Sequence, residues 1–113
     1  MSSWFWLPVL GVLAWLVLRR RGLPAQQLDA LLSEGAQVVD VRTPAEFRRG
    51  HAEGARNIPL DQLEARAQEL DPARPVLLCC ASGARSGLAL SLLKQRGFRT
   101  VHNAGPWTAL PGR

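Results

Sequence analysis

The sequence is poor in cysteine and histidine, with only two of each among its 113 residues. Cys79 and Cys80 are neighbours, so they cannot form the disulfide framework of a small secreted protein. They also lack the spacing of zinc ligands, and only His51 and His102 could complete such a site, so we expect no metal and no cofactor. The two thiols therefore either fill a core or carry out reduced-thiol chemistry.

The sequence also lacks internal repeats and low-complexity tracts, and its apolar fraction of 47% is too high for a disordered chain. Its length fits one globular domain with a short extension. The net charge is +5, but Arg19, Arg20 and Arg21 supply three of the positive charges, and the remainder is close to balanced. This distribution favours a membrane flank, and we expect no nucleic-acid partner.

An uncharged apolar run from Trp4 to Leu18 stands directly before the three arginines. As a helix it would span roughly 22 Å, and snorkelling arginines would extend its reach towards the roughly 30 Å of a bilayer core. Trp4 and Trp6 suit one interface, and Arg19–Arg21 suit the other. We therefore expect residues 1–21 to form a transmembrane anchor with a basic flank.

The order of charge and apolar core predicts the orientation of this anchor. Because the arginines follow the core, the positive-inside rule places residues 23–113 in the cytoplasm. A cleaved signal peptide is the alternative, but it would carry its positive charge before the core and small residues after it. The sequence predicts a single-pass protein of the bacterial inner (cytoplasmic) membrane with a cytoplasmic domain. Cleavage would instead release the domain into the periplasm.

Beyond residue 23, strand-like and helical patterns alternate. Leu28, Leu31 and Leu32 have helical spacing and precede Gly35, which predicts a helix. Strand-like runs follow at residues 37–41, 55–60, 75–80 and 99–103, with helical patterns between them. Such alternation predicts a parallel sheet with helices on both faces, and ligands bind at the carboxyl ends of the strands of such sheets.

Three helix starts are predicted between these strands. Pro44 opens a short helix that Gly50 closes. Asp61 and Glu64 have the spacing of a capping box. The third helix starts at Ser86, after the most apolar of the strand-like runs.

Cys80 ends that apolar run, and small residues then lead into a helix. The loop comprises Ala81, Ser82, Gly83, Ala84, Arg85 and Ser86. Gly83 permits a positive φ, and backbone N–H groups of such a loop converge near its centre. The helix amino end and Arg85 add positive charge, so Cys80 should be a thiolate and the candidate nucleophile. The same cradle would stabilise anionic sulfur on Cys80 or an anionic substrate.

The alternative for Cys80 is a buried small hydrophobe that precedes a glycine turn. For Cys79 this inert role is the expected one, because its side chain points to the other side of the strand. A bond between the two neighbours would strain the backbone.

Taken together, these residues resemble the single-domain rhodanese family of sulfurtransferases. The motifs that carry the resemblance are VVDVRTPAEFRRGHAEGARNIPL, then CASGARS, and the ending VHNAG, which is similar to the phage shock protein E type. The resemblance covers roughly Leu23 to Leu110. It implies a rhodanese-like α/β fold with a five-stranded parallel sheet flanked by helices on both sides, here preceded by one N-terminal transmembrane helix.

The resemblance also implies roles for particular residues. Cys80 would accept sulfane sulfur as a persulfide and pass it to a thiophilic acceptor, with the loop from Ala81 to Arg85 as the cradle. Asp40 and Arg42 match a pair that braces the site, and His51 lies in a segment that is mostly structural. The implied activity is that of a thiosulfate:cyanide sulfurtransferase. The implied partners are a small donor, thiosulfate or a persulfide, and a thiol or cyanide acceptor.

Some positions depart from the family pattern, although none of them is the nucleophile. Ala52, Glu53 and Pro106 replace the usual residues, which puts the packing and the rim of the site in question. Trp107 either lines that rim or covers the core.

A phosphatase and a protein-binding module are the two alternatives to sulfur transfer. Four residues separate Cys80 from Arg85, whereas the phosphatases of this fold have five, and the shorter loop suits a single sulfur atom better than a phosphate. The second alternative is a catalytically idle rhodanese module that binds protein at the membrane. Such modules usually lose the cysteine or the arginine, and this chain keeps both.

Overall fold

A computed structural model of the chain describes residues 9–14 and 23–111. Residues 9–14 are helical and exposed. In these two ranges, no helix is both long enough and apolar enough to cross a membrane. The other residues of the predicted anchor, 1–8 and 15–21, lie outside the described part. The structure therefore gives the anchor no support, and it stays a prediction.

Helices and strands alternate along residues 23–111, as the pattern predicts. The helices are α1 (Ala25–Ser33), α2 (Pro44–Arg49), α3 (Leu60–Arg66) and α4 (Ala84–Gln95). The strands are β1 (Gln37–Asp40), β2 (Arg56–Asn57), β3 (Val76–Cys80) and β4 (Val101–Pro106). Single 3₁₀ turns follow α3 at Ala67–Glu69 and β4 at Trp107–Ala109.

The described strands form one parallel sheet in the order β2-β1-β3-β4. After β1 the chain moves out to the edge strand β2, and it then returns to the other side of β1 to form β3. A crevice forms outside the carboxyl ends of the strands where the strand order reverses in this way. Asp40 at the end of β1 is in register with Cys79 of β3, so both predicted site segments meet at this crevice.

The fifth strand that the resemblance implies is wrong for residues 23–111, which contain the four strands that the residue pattern predicts. Leu23 and Pro24 lead directly into α1, and helices, 3₁₀ turns and short loops occupy the segments between the strands. The edge strand β2 has only two residues, because Pro59 soon follows, lacks an N–H for the sheet and starts the next helix.

The start of α3 also differs from the prediction. This helix begins at Leu60 after Pro59, with no side-chain cap, so the capping box expected at Asp61 and Glu64 is wrong. Proline has a backbone angle suited to a helix start, which moves the helix one residue earlier than Asp61. The Glu64 carboxylate instead forms an ion pair with Arg96, just beyond α4.

Both faces of the sheet are covered, and the two cysteines lie on opposite faces. One face packs against α3 and α4, with Leu63 and Leu93 in the same buried cluster as Cys80. The other face packs against α1, with Leu28 in the same buried cluster as Cys79. Strand β3 is buried along its whole length, which is typical of a central parallel strand. The predicted opposite orientation of the two thiols is therefore confirmed.

Candidate active site

Cys80 is the last residue of β3, and it is fully buried. The chain turns at Gly83, whose φ of +103° is a positive value of the kind that glycine permits. A Cβ atom at Gly83 would lie 3.3 Å from the Cα of Gly105, so the close approach of β4 also favours glycine. Because Gly83 forms the N-cap, α4 begins at Ala84 and the predicted start at Ser86 is two residues late.

The Sγ atom of Cys80 lies where the loop N–H groups converge. Gly83 N–H donates to it at 2.9 Å and Ser86 N–H at 3.4 Å, while Ser86 Oγ lies 3.3 Å away. Burial raises the pKa of the thiol. Hydrogen bonds from the Ser86 hydroxyl and from the N–H groups of Ser86, Gly83 and Ser82 outweigh burial and lower the pKa of Cys80 below its usual value.

The side chains of Ala81, Ser82 and Ala84 are exposed on the loop. The structure thus brings the backbone of the loop, rather than these side chains, onto the sulfur. Their contact with a substrate stays a prediction.

Cys79 has no such donors, although it is the direct neighbour of Cys80. It is fully buried in the cluster on the α1 side of the sheet. Burial first, and then the charge of Asp40, raises the pKa of Cys79 to about 12. The two thiols therefore differ in ionisation because of the faces on which they lie, and this geometry favours the inert role expected for Cys79.

Arg85, the predicted anion contact, is bound by a carboxylate that the sequence analysis misses. Its Nη1 and Nη2 donate to Oε1 and Oε2 of Glu46 at 2.7 and 3.0 Å. Glu46 is held at the start of α2 by a capping box: its N–H donates to Thr43 Oγ1 at 3.2 Å, and its carboxylate accepts the Thr43 N–H at 3.1 Å.

These contacts keep the Glu46 carboxylate ionised. The bonds from Arg85 first, and then from the Thr43 N–H, lower the pKa of Glu46 to about 2. The ion pair therefore persists across the neutral pH range. The Thr-x-x-Glu spacing is a signal for the capping box, but no local pattern indicates a partner 39 residues away.

Asp40 and Arg42 form a buried ion pair at the end of β1. Arg42 Nη2 donates to Asp40 Oδ2 at 2.7 Å, and Arg42 Nε donates to Oδ1 at 3.0 Å. The same guanidinium donates to the carbonyl of Gly50 at 2.7 Å and lies 4.8 Å from the ring centroid of Trp107. These contacts tie the end of α2 to the end of β1, which fits the bracing role implied for the pair.

Trp107 and His51 take part in packing. Trp107 is partly buried against the cluster on the α1 side and against Gly50, so it covers the core. The ring of His51 stacks on Phe47 with centroids 3.8 Å apart, and its Nδ1 is 2.8 Å from the Phe47 carbonyl oxygen. This contact fits the structural role implied for His51.

Asn103 on β4 is a second residue that the sequence analysis misses. Its Oδ1 accepts the Ser86 hydroxyl at 2.7 Å and the Gly105 N–H at 2.9 Å, while its Nδ2 donates to the Gly83 carbonyl at 3.0 Å. Asn103 stands at a bulge, where the pairing with β3 shifts register. Bulges change the direction of side chains beside active sites. The only indication of this bulge in the sequence is the glycine within the strand, Gly105.

Comparison with known proteins places this geometry in context. A protein-family model for the rhodanese-like domain matches residues 24–105. The uncharacterized protein YqhL of Bacillus subtilis is 47% identical over 68 residues, which are 60% of this chain and 54% of that protein. The chain thus spans about half the length of this curated relative.

Two further similarities involve proteins from Escherichia coli. The thiosulfate sulfurtransferase PspE is 36% identical over 69 residues, which cover 59% of this chain and 66% of that protein. A solved structure of a rhodanese with anions has a TM-score of 0.65 and 32% identity, and the match covers 69% of this chain and 94% of that one.

Proposed function

The chain belongs to the rhodanese family, and from this premise we propose that it is a sulfurtransferase that carries sulfane sulfur as a persulfide on Cys80. The observation that carries the proposal is the cradle around Cys80, in which Gly83 and Ser86 donate backbone N–H groups to Sγ at 2.9 and 3.4 Å. Its relative PspE is named a thiosulfate sulfurtransferase, which supports thiosulfate as a donor.

In the loading step, the Cys80 thiolate attacks the outer sulfur of the donor. A bond forms between Sγ and that sulfur while the S–S bond of the donor breaks, and the electron pair leaves with the rest of the donor. With thiosulfate, the leaving group is sulfite. The loop N–H groups and the amino end of α4 stabilise the negative charge as it moves to the terminal sulfur of the persulfide.

In the unloading step, a thiophilic acceptor attacks that terminal sulfur. The S–S bond of the persulfide breaks, and its electron pair returns to Sγ. Cyanide leaves as thiocyanate, and a thiolate leaves as a persulfide. The contacts that lower the pKa of Cys80 also make it a better leaving group in this step.

Arg85 supplies positive charge for an anionic donor at the start of α4. Its guanidinium has five N–H donors in a fixed fork, and Glu46 binds only one edge of it. The other N–H groups of the guanidinium are available to the oxygens of an anionic sulfur donor such as thiosulfate. The pairing with Glu46 also fixes the orientation of the guanidinium before the donor arrives.

The proposal is tested with a matched pair of cysteine variants. Cys80→Ser should abolish thiocyanate release from thiosulfate and cyanide, because it removes the sulfur acceptor. Cys79→Ala should retain most of the activity, because Cys79 lies on the other face of the sheet. Intact mass after thiosulfate treatment should show one added sulfur atom in the wild type and in Cys79→Ala but none in Cys80→Ser. The reverse pattern would contradict the assignment.

The same measurements separate sulfur transfer from the alternative, an idle rhodanese module that binds protein. The presence of both Cys80 and Arg85 at the loop favours the enzyme. A folded wild-type chain that neither gains sulfur nor releases thiocyanate would favour the binding module instead.

We also propose that the domain is held at the inner face of the cytoplasmic membrane. The support is the uncharged run from Trp4 to Leu18 followed at once by Arg19–Arg21. A periplasmic domain released by signal cleavage is the alternative. In the cytoplasm, reducing conditions would keep Cys80 free of disulfides.

A further inference from the structure

The hydroxyl of Ser86 has one hydrogen and two neighbours that compete for it. Ser86 is fully buried, and its Oγ lies 2.7 Å from Asn103 Oδ1 and 3.3 Å from Cys80 Sγ. When Cys80 is a thiol, its S–H can donate to Ser86, and Ser86 donates to Asn103. When Cys80 is a thiolate, it has no hydrogen, and the Ser86 hydrogen must turn towards Sγ to stabilise it.

The other contacts of Asn103 suit it to both arrangements. Its Nδ2 donates to the Gly83 carbonyl at 3.0 Å, and its Oδ1 accepts the Gly105 N–H at 2.9 Å. The Gly83 carbonyl can only accept a hydrogen bond, and the Gly105 N–H can only donate one. These two bonds therefore fix the orientation of the amide, with Oδ1 rather than Nδ2 facing Ser86. Since Oδ1 keeps the Gly105 bond, it stays satisfied after Ser86 turns away.

We propose that Asn103 is a positioning residue for sulfur transfer that acts through Ser86. It holds the hydroxyl hydrogen while Cys80 is protonated and releases it to Sγ whenever Cys80 is the attacking or the leaving thiolate. This inference rests on the proposed transfer at Cys80, and it assigns the β4 bulge a part in the chemistry.

The two residues therefore have opposite effects on the ionisation of Cys80. Ser86 stabilises the thiolate by donating to it, whereas the Asn103 oxygen stabilises the thiol arrangement by accepting from Ser86. Removal of that oxygen should favour the thiolate, but only in a protein that keeps the Ser86 hydroxyl.

Replacement of Asn103 or Ser86 by alanine leaves the charged groups around the Cys80 thiol in place. Arg85 on α4 interacts with the thiolate, and Glu46 on α2 is bound to Arg85. Asp40 and Arg42 close the end of the adjacent strand β1 as a buried pair.

The test is a double-mutant cycle on the full chain in a Cys79→Ala background, where Cys80 is the one thiol. The ultraviolet absorbance of the thiolate is followed against pH, with a Cys80→Ser variant subtracted. Ser86→Ala should move the titration to higher pH and lower the thiolate fraction about tenfold on the acidic side of the curve, because a hydrogen bond to the charged form is lost. Asn103→Ala should move it to lower pH.

The proposal depends on whether the effect of Asn103→Ala requires the Ser86 hydroxyl. Asn103→Ala should leave the titration unchanged when Ser86 is already alanine. An equal shift with and without the hydroxyl would mean that Asn103 acts through the loop alone, and it would overturn the proposal, as would no shift in either background. Because the titration requires no sulfur transfer, the absence of thiocyanate release would refute the proposed function without altering this result.

A second variant covers the case in which Asn103→Ala fails to fold. Asn103→Asp keeps the shape and the Oδ1 acceptor but loses the Nδ2 donor to the Gly83 carbonyl, a loss that is the same with Ser86 and with alanine at that position. The variant should hold the Ser86 hydrogen more strongly and move the titration to higher pH. That shift should be larger with Ser86 than with alanine at the same position. Equal shifts would overturn the proposal, since the added charge would then explain them.

Discussion

Individual contacts decide how the two neighbouring thiols behave. Cys79 and Cys80 are both fully buried, yet the pKa of Cys79 is raised to about 12 whereas the pKa of Cys80 is lowered. Burial raises the pKa of both thiols, and the charge of Asp40 raises that of Cys79 further, whereas only Cys80 meets donors that lower its pKa, the N–H groups of the loop and the Ser86 hydroxyl. Reactivity at this site therefore depends on hydrogen bonds rather than on solvent exposure.

At the same scale, Arg85 should act by geometry as well as by charge. Arg85→Lys removes the planar fork that binds Glu46 through two bonds, and we expect kcat/KM for thiosulfate to fall about tenfold or more. Glu46→Gln is the matched comparison, because it removes one of the two acceptors that orient the guanidinium but leaves the guanidinium itself. Steady-state kinetics should therefore show a smaller loss there than in Arg85→Lys. Unchanged kinetics in Arg85→Lys would mean that the fork has no role.

At the scale of elements, the capping box at Thr43 holds the short helix α2 and, through it, the carboxylate that meets Arg85. This helix has six residues, too few to be stable alone. Thr43→Ala should lower the free energy of unfolding by about 1 kcal/mol, because the Glu46 N–H loses its partner. Thr43→Ser keeps the hydroxyl and serves as the control in denaturant unfolding. Equal stability of the alanine and serine variants would show that the cap contributes nothing.

The elements also show which features of the fold the sequence predicts. The apolar run that became β3 and the leucine spacing of α1 predict their elements, because burial and periodicity are local properties. The tight loop after Cys80 is likewise predicted from its small residues, and its turn occurs at Gly83, which permits the positive φ observed there. The capping box expected at Asp61 fails because Pro59 starts α3 earlier, and the fifth strand fails because it came from resemblance and not from the residues.

The unpredicted part of the site depends on contacts between distant segments. Glu46 reaches Arg85 across 39 residues, and Asn103 reaches Ser86 across 17. Neither residue stands out locally: Glu46 resembles any helix-capping acid, and Asn103 owes its orientation to a bulge formed only when β4 pairs with β3. Such contacts follow from the order of strands in the sheet, which residue patterns along the chain do not specify.

For the whole molecule, the proposed membrane location makes a separate prediction. After salt and alkaline washes, the full-length chain should stay in the membrane pellet. In cells with a permeabilised outer layer it should resist added protease, because its domain faces the cytoplasm. Replacement of Arg19, Arg20 and Arg21 by serine should weaken this protection, since the charge that sets the orientation is gone.

The matched control is a chain with the same number of arginines replaced elsewhere, at Arg48, Arg49 and Arg99, which should remain protected. Recovery of a shortened, unanchored product that starts near Trp15 or later would contradict the anchor and favour a cleaved signal peptide.

The opposite orientation of the two cysteines has a consequence for how long sulfur is retained. The sequence has no third cysteine, and Cys79 faces the far side of the sheet, so a loaded chain has no internal thiol onto which it can discharge. If sulfur transfer proceeds as proposed, each chain holds a single sulfur atom until another molecule removes it. Under that proposal the lifetime of the loaded form depends on the supply of acceptor, and in the absence of acceptor the protein would act as a reservoir.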